Sequence, residues 1–144
     1  MKLVEVIAGK EIAPATVTAA RRLVTRWGKT AVLAPDSQGF IVNRIFDVIK
    51  REALHLHEEG VDVRDVDQAV RLGLNLPMGP FELMDLIGLD TTYERLINHE
   101  CPINQARQMK RAPDFGMVLP KLVVARKTGR KAEKGFFDYG ETRP

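Results

Sequence analysis

Two polar side chains in this sequence stand where a charge or an amide needs a reason. Glu5 lies within Leu3-Val4-Glu5-Val6-Ile7, a run otherwise suited to a buried strand, and an unpaired carboxylate there is costly. On a strand, residues 3, 5 and 7 share one face, so Glu5 projects between Leu3 and Ile7. Spacing alone favours an edge strand with Glu5 in water. The functional alternative is a carboxylate buried to orient and charge-stabilise a base, usually a histidine. Asn43 is the second candidate. It sits about 200° around the following helix from Ile41, off the apolar stripe and on the side of Phe40 and Asp47. A surface asparagine is the commoner meaning; an amide aimed across a cleft at a polar substrate is the sharper one.

The remaining reactive residue types offer less. His55 and His57 are two apart, so a helix does not let them grip one ion; His55 and Glu59 fit an ordinary i,i+4 surface pair. His99, Glu100 and Cys101 adjoin, but no second cysteine and no H-E-x-x-H or C-x-x-C accompanies them, so no metal site is expected. No two glycines are spaced to write G-x-G-x-x-G, which excludes a dinucleotide fingerprint in these residues. Arg126, Lys127, Arg130, Lys131 and Lys134 form the one cation cluster. It reads as a solvated tail or as an attractor for phosphates of a nucleotide-like ligand. No nucleic-acid motif accompanies it.

These residues must be positioned by a chain of 144 residues, 44% apolar and 28% charged, which are globular values. The formal charge of +3 is too small to argue for nucleic acid. A lone cysteine forbids an internal disulfide and suits a reducing, cytoplasmic setting. No apolar run approaches the ~18 residues of a membrane span, and the opening residues do not read as a signal peptide.

Residues 2–8 read as a strand, Pro14–Trp27 as a helix stopped by Gly28, and 29–35 as a second strand. Strand, helix, strand is a βαβ unit of a parallel sheet, and two strands are too few to stand alone. The front of the chain is thus expected to be the end of a larger α/β domain. Helices follow. One spans Phe40–Glu59, with Ile41, Ile45, Val48, Ile49, Ala53 and Leu56 as its buried stripe. Another is capped by Asp62, with Asp65 in a loose capping box, and closed by Gly73. A short one runs from Pro80 to a break at Gly88, and one capped by Asp90 reaches about Asn98. "CPINQARQMKRAPDFG" reads as turns with one short helix. A last helix starts at Pro120 and runs toward Lys127, before a basic loop and an aromatic extended tail.

Four stretches, "MKLVEVIAG", "QGFIVNRI", "EEGVDVRDVDQAVRLGLNLPMGPFELMDLIGLDTT" and "GRKAEKGFFDY", together resemble the C-terminal half of the 3-hydroxyacyl-CoA dehydrogenase family, in the family's order. The resemblance implies a mainly α fold: a helical C-terminal dimerisation domain of the 6-phosphogluconate-dehydrogenase-like type (37–144), preceded by a partial βαβ remnant of a Rossmann domain (1–36). It also implies oxidation of 3-hydroxyacyl-CoA to 3-ketoacyl-CoA with NAD, on a homodimer. In such enzymes a histidine takes the hydroxyl proton and a carboxylate of the "LVEV" strand holds it; Glu5 matches that carboxylate. Asn43 matches the asparagine of "GFIVNR" that bonds the substrate at the reacting centre. Lys131 matches a cation of the terminal loop near NAD.

The departures are specific. The family's histidine belongs to an "HFFNP" segment ahead of the "MKLVEV" strand, and this sequence starts after it. NAD is therefore expected to be bound mainly by an N-terminal domain absent here, which a separate chain could supply, and the isolated chain is expected to be inactive. Gln38 replaces a proline, and Ala132-Glu133 replace Thr/Ser-Gly beside Lys131. "FELMDLIGLD" is apolar enough for a dimer core. The alternative function is a non-catalytic helical dimerisation or acyl-CoA-binding module. Neither nucleic acid nor membrane is an expected partner.

Overall fold

A computed structural model of the chain describes residues 1–98 and 115–140. They fall into two compact units, Met1–Phe46 and Asp47–Pro144. In the first, strand β1 (Leu3–Ala8), helix α1 (Pro14–Arg26) and strand β2 (Thr30–Pro35) build the βαβ unit. The strands pair in parallel, Leu3 with Thr30 through Ala8 with Pro35, so Glu5 stands beside Val32. Pro14 opens α1, where its missing N–H costs nothing. The helix buries Val24, half-buries Val17 and Ala20, and ends before Gly28, whose φ is 68°.

Helix α2 (Val42–Glu58) begins at the end of this unit. The second unit continues with α3 (Val63–Leu74), α4 (Pro80–Ile87), α5 (Leu89–Asn98), α6 (Val118–Val124) and a 3-10 turn at Arg130–Ala132. Its core gathers Leu54, Phe81, Met84, Leu89, Leu96, Phe115 and Leu119. The apolar run from Phe81 to Leu89 thus fills the chain's own core instead of forming an outer face; of its leucines only Leu86 is exposed, at 43%.

Several expectations are corrected. In α2 the fully buried residues are Asp47, Lys50, Ala53 and Leu54, while Ile45 and Val48 are exposed. The charges on the inner stripe are paired: Lys50 Nζ lies 3.3 Å from Asp47, and Arg95 of α5 pairs with the same carboxylate. Helix α3 runs through Gly73 to Leu74 and is closed by Asn75 in the left-handed conformation, at φ 53°. Its Asp62 cap is as expected, accepting the Arg64 N–H at 2.8 Å. Asp65 makes no bond back to Asp62 among the described residues.

Asp90 lies within the first turn of α5, bonding the Thr91 N–H, while Gly88 makes the break. Helix α6 begins at Val118, not Pro120, because Glu58 accepts the Met117 and Val118 N–H groups and starts the turn earlier. The basic loop and aromatic tail do not extend; bridges Gly129–Lys134 and Lys134–Asp138 fold them back. His99, Glu100, Cys101 and the segment expected to form turns with a short helix lie outside the described residues, except Phe115 and Gly116.

Candidate functional site

Glu5 is half-buried, not bathed in water as spacing alone favoured. Its Oε1 accepts the Ile41 N–H at 2.8 Å and the Val42 N–H at 3.2 Å. The strand carboxylate thereby caps α2 from 36 residues away. Two of the orphan donors of a helix start are satisfied this way, by charge-assisted bonds at the positive end of the helix dipole. The backbone approaches this cap through an unusual pair: Gly39 has φ 78° and Phe40 has φ 49°. A left-handed phenylalanine costs roughly 1–2 kcal/mol, which the cap helps to offset.

Asn43 is the second residue of α2 and is exposed. Its side-chain amide makes no hydrogen bond among the described residues, so its donors and acceptor are available to a ligand. Glu5 and Asn43, 38 positions apart in sequence, therefore meet at one helix start. The arrangement places the amide-bearing residue directly after the two backbone N–H groups that the carboxylate accepts.

Lys131 belongs to the second unit, exposed on the 3-10 turn. What places it is Asp85, a fully buried carboxylate on α4. Asp85 accepts the Phe136 and Phe137 N–H groups and the Tyr139 hydroxyl, all at 3.0 Å. Gly129 (φ 105°) and Gly135 pack so close that a Cβ would overlap the Asp85 backbone at the first and its carboxylate at the second. The loop is stapled to α4 at both ends of the turn. Burial and the Asp85 carboxylate push the Tyr139 phenol up to about 12, against the pull of Arg130.

The cation cluster divides. Arg130 pairs with Glu82 at 2.9 Å and lies over the Tyr139 ring, and Lys134 lies 3.7 Å from Asp138. Lys131 makes no such pair among the described residues. Glu133, where the resembled family has glycine, takes a left-handed φ of 57°.

Sequence reasoning passed over Asp67 and Asp85. Asp67 caps α4 through the Phe81 and Glu82 N–H groups at 2.8 and 2.9 Å. Burial raises its pKa despite those bonds. For Asp85 the signal was available, since it is an acid inside an apolar stretch, as Glu5 is; Asp67, between Val66 and Gln68 in a charged run, gives no such signal. His57 bonds the Val61 carbonyl through Nδ1 and packs edge-on to Phe81 and Phe136. Among the described residues, no group of three or more His, Cys, Asp or Glu side chains could hold a metal ion, and no helix is long and apolar enough to cross a membrane.

Comparison with known proteins bears on the whole arrangement. The family model for the 3-hydroxyacyl-CoA dehydrogenase C-terminal domain matches residues 39–139. A 3-hydroxybutyryl-CoA dehydrogenase of Bradyrhizobium diazoefficiens is 38% identical over 146 residues, covering 100% of this chain and 48% of that protein. Rat mitochondrial hydroxyacyl-coenzyme A dehydrogenase is 40% identical over 142 residues, covering 96% and 43%. The crystal structure of (S)-3-hydroxybutyryl-CoA dehydrogenase from Ralstonia eutropha superposes with a TM-score of 0.81 at 31% identity, covering 98% of this chain and 48% of that one. The chain spans about half the length of the curated relatives it matches.

Proposed function

This chain belongs to the 3-hydroxyacyl-CoA dehydrogenase family, whose C-terminal domain it carries, and we propose that it supplies the acyl-CoA cleft and the dimer contact of an enzyme oxidising 3-hydroxyacyl-CoA to 3-ketoacyl-CoA with NAD as hydride acceptor. In this reading residues 1–36 end the nucleotide-binding sheet and 37–144 form the helical domain. A histidine outside this sequence takes the proton from the 3-hydroxyl. Glu5 holds that histidine oriented and stabilises its protonated form. The Asn43 amide bonds the substrate oxygen at carbon 3, where negative charge develops.

The residues present do not build a dinucleotide cradle. Gly9 follows β1 alone, without the further glycines that let a backbone approach a pyrophosphate. NAD is assigned to a nucleotide-binding domain beyond this sequence, with Lys131 as a peripheral contact. The single cysteine fits a cytoplasmic, reducing setting.

One observation carries the proposal: the strand carboxylate and the helix amide, matched separately by sequence, converge on one helix start. Reduction of acetoacetyl-CoA by NADH tests it, in the protein that joins this chain to its nucleotide-binding domain. Asn43→Ala is expected to lower kcat by about 100-fold, the loss that follows removal of one donor to a developing oxyanion. The same 144 residues alone are expected to give no turnover. Unchanged kcat in the Asn43 variant, or turnover by the 144 residues alone, would refute the assignment.

A further inference from the structure

We propose that Glu5 is also the positioning residue for Asn43, so that one carboxylate sets the place of both the base and the substrate amide. The inference rests on the function proposed above and adds a second role to a residue so far given one. Oε1 takes the N–H groups of Ile41 and Val42, the two residues immediately before Asn43. Oε2 makes no hydrogen bond among the described residues, which leaves it for the base. The carboxylate thus divides its work by oxygen.

Three features make the Oε1 contacts more than an incidental cap. No side chain within the approach to α2 caps it among the described residues; the bond from the Phe40 N–H to the Ser37 carbonyl, at 3.0 Å, only closes the preceding turn. The chain reaches the helix through two successive left-handed residues, Gly39 and Phe40. Such a conformation persists only where surrounding contacts over-determine it, and it clusters at functional sites. The pinned groups are also on the residues next to the amide, so release of the cap frees the turn that carries Asn43. Reacting groups misplaced by about 1 Å lose on the order of 100-fold in rate.

Two conservative variants separate the roles. In Glu5→Gln a neutral carbonyl oxygen still accepts both N–H groups, but the charge that stabilises the protonated base is gone. In Glu5→Asp the charge stays, and the side chain, one methylene shorter, no longer reaches both donors. The test uses the NAD-competent protein and measures the cost of Asn43→Ala in each background, together with amide hydrogen exchange at Ile41 and Val42.

In wild type and in Glu5→Gln the Asn43 substitution is expected to cost about 100-fold in kcat, with both amides protected and the pH profile altered only in Glu5→Gln. In Glu5→Asp the two amides exchange at least ~10-fold faster, and the Asn43 substitution costs less than about 10-fold, because the amide is already out of place. An equal Asn43 cost in wild type and Glu5→Asp overturns the inference, as does exchange at Ile41 and Val42 that Glu5→Asp leaves unchanged. If Glu5→Asp does not fold, Glu5→Gln decides alone. A retained Asn43 cost with protected amides and a shifted pH profile supports the positioning role; a collapsed Asn43 cost with the amides still protected overturns it. Loss of the Asn43 effect in wild type itself marks failure of the proposed function, and the exchange data then report the cap separately.

Discussion

Glu5, Glu58, Asp67 and Asp85 share a habit: each carboxylate takes two successive backbone N–H groups, at residues 41 and 42, 117 and 118, 81 and 82, and 136 and 137. Three of the four start a helix, and the fourth fastens the terminal loop. An acid among aliphatics is costly, which singles out Glu5 and applies equally to Asp85, but not to Asp67, whose neighbours include Asp65 and Gln68. What no local pattern reveals is the donors, since the bonds of Glu5, Asp85 and Glu58 reach across 36 to 60 positions. Tyr139 gives this scale its test. Its phenol is raised to about 12, so the folded protein favours the protonated form. The associated stability is complete below pH 10 and is lost as the pH rises through about 12. Tyr139→Phe is expected to cost about 1–2 kcal/mol near neutral pH, because Asp85 loses a hydrogen bond to a charged acceptor. It should also flatten the alkaline fall. Urea unfolding of both proteins at neutral and alkaline pH checks this; parallel curves at every pH would rule it out.

Elements were legible in proportion to how locally their ends are decided. The strands and α1 fall within a residue or two of expectation, because Pro14 and Gly28 mark boundaries by their own backbone chemistry. The end of α3 was misplaced because an asparagine, not the nearby glycine, supplies the left-handed cap. The start of α6 was misplaced because a glutamate on α2 supplies its cap. Helix α2 shows the third kind of failure: its inner stripe carries Asp47 and Lys50, which an apolar period cannot register. Burial lowers the Lys50 pKa, although the nearby Asp47 opposes the shift. The folded state therefore bears a cost for keeping this ammonium charged at neutral pH. Lys50→Met leaves Asp47 its pair with Arg95 and is expected to change stability by less than about 1 kcal/mol, or to raise it. Asp47→Ala instead strands two cations and is expected to cost about 3–5 kcal/mol. Thermal unfolding of the two variants measures the asymmetry, and equal losses would show that the charges do not act as a set.

At the scale of the molecule, the question is what the exposed leucines of the second unit are for. The "FELMDLIGLD" run is used internally, so its apolar character does not argue for an interface. Leu72 and Leu74 are different: they are 76% and 59% exposed on the last turn of α3. Two positions apart on a helix, they do not share a face, but leucines so placed contribute little to a monomer and each offers a large apolar side chain for a partner to cover. Homodimerisation, proposed here on family grounds, would give them a partner, and charge at the centre of such a contact is strongly disfavoured. Leu72→Glu with Leu74→Glu is therefore expected to leave the monomer's unfolding within about 0.5 kcal/mol of wild type while weakening dimerisation by at least ~100-fold. Sedimentation velocity over a range of protein concentrations separates the two effects. A wild-type protein that sediments as a monomer throughout would remove the dimer, and a double variant that stays dimeric would move the interface to another face.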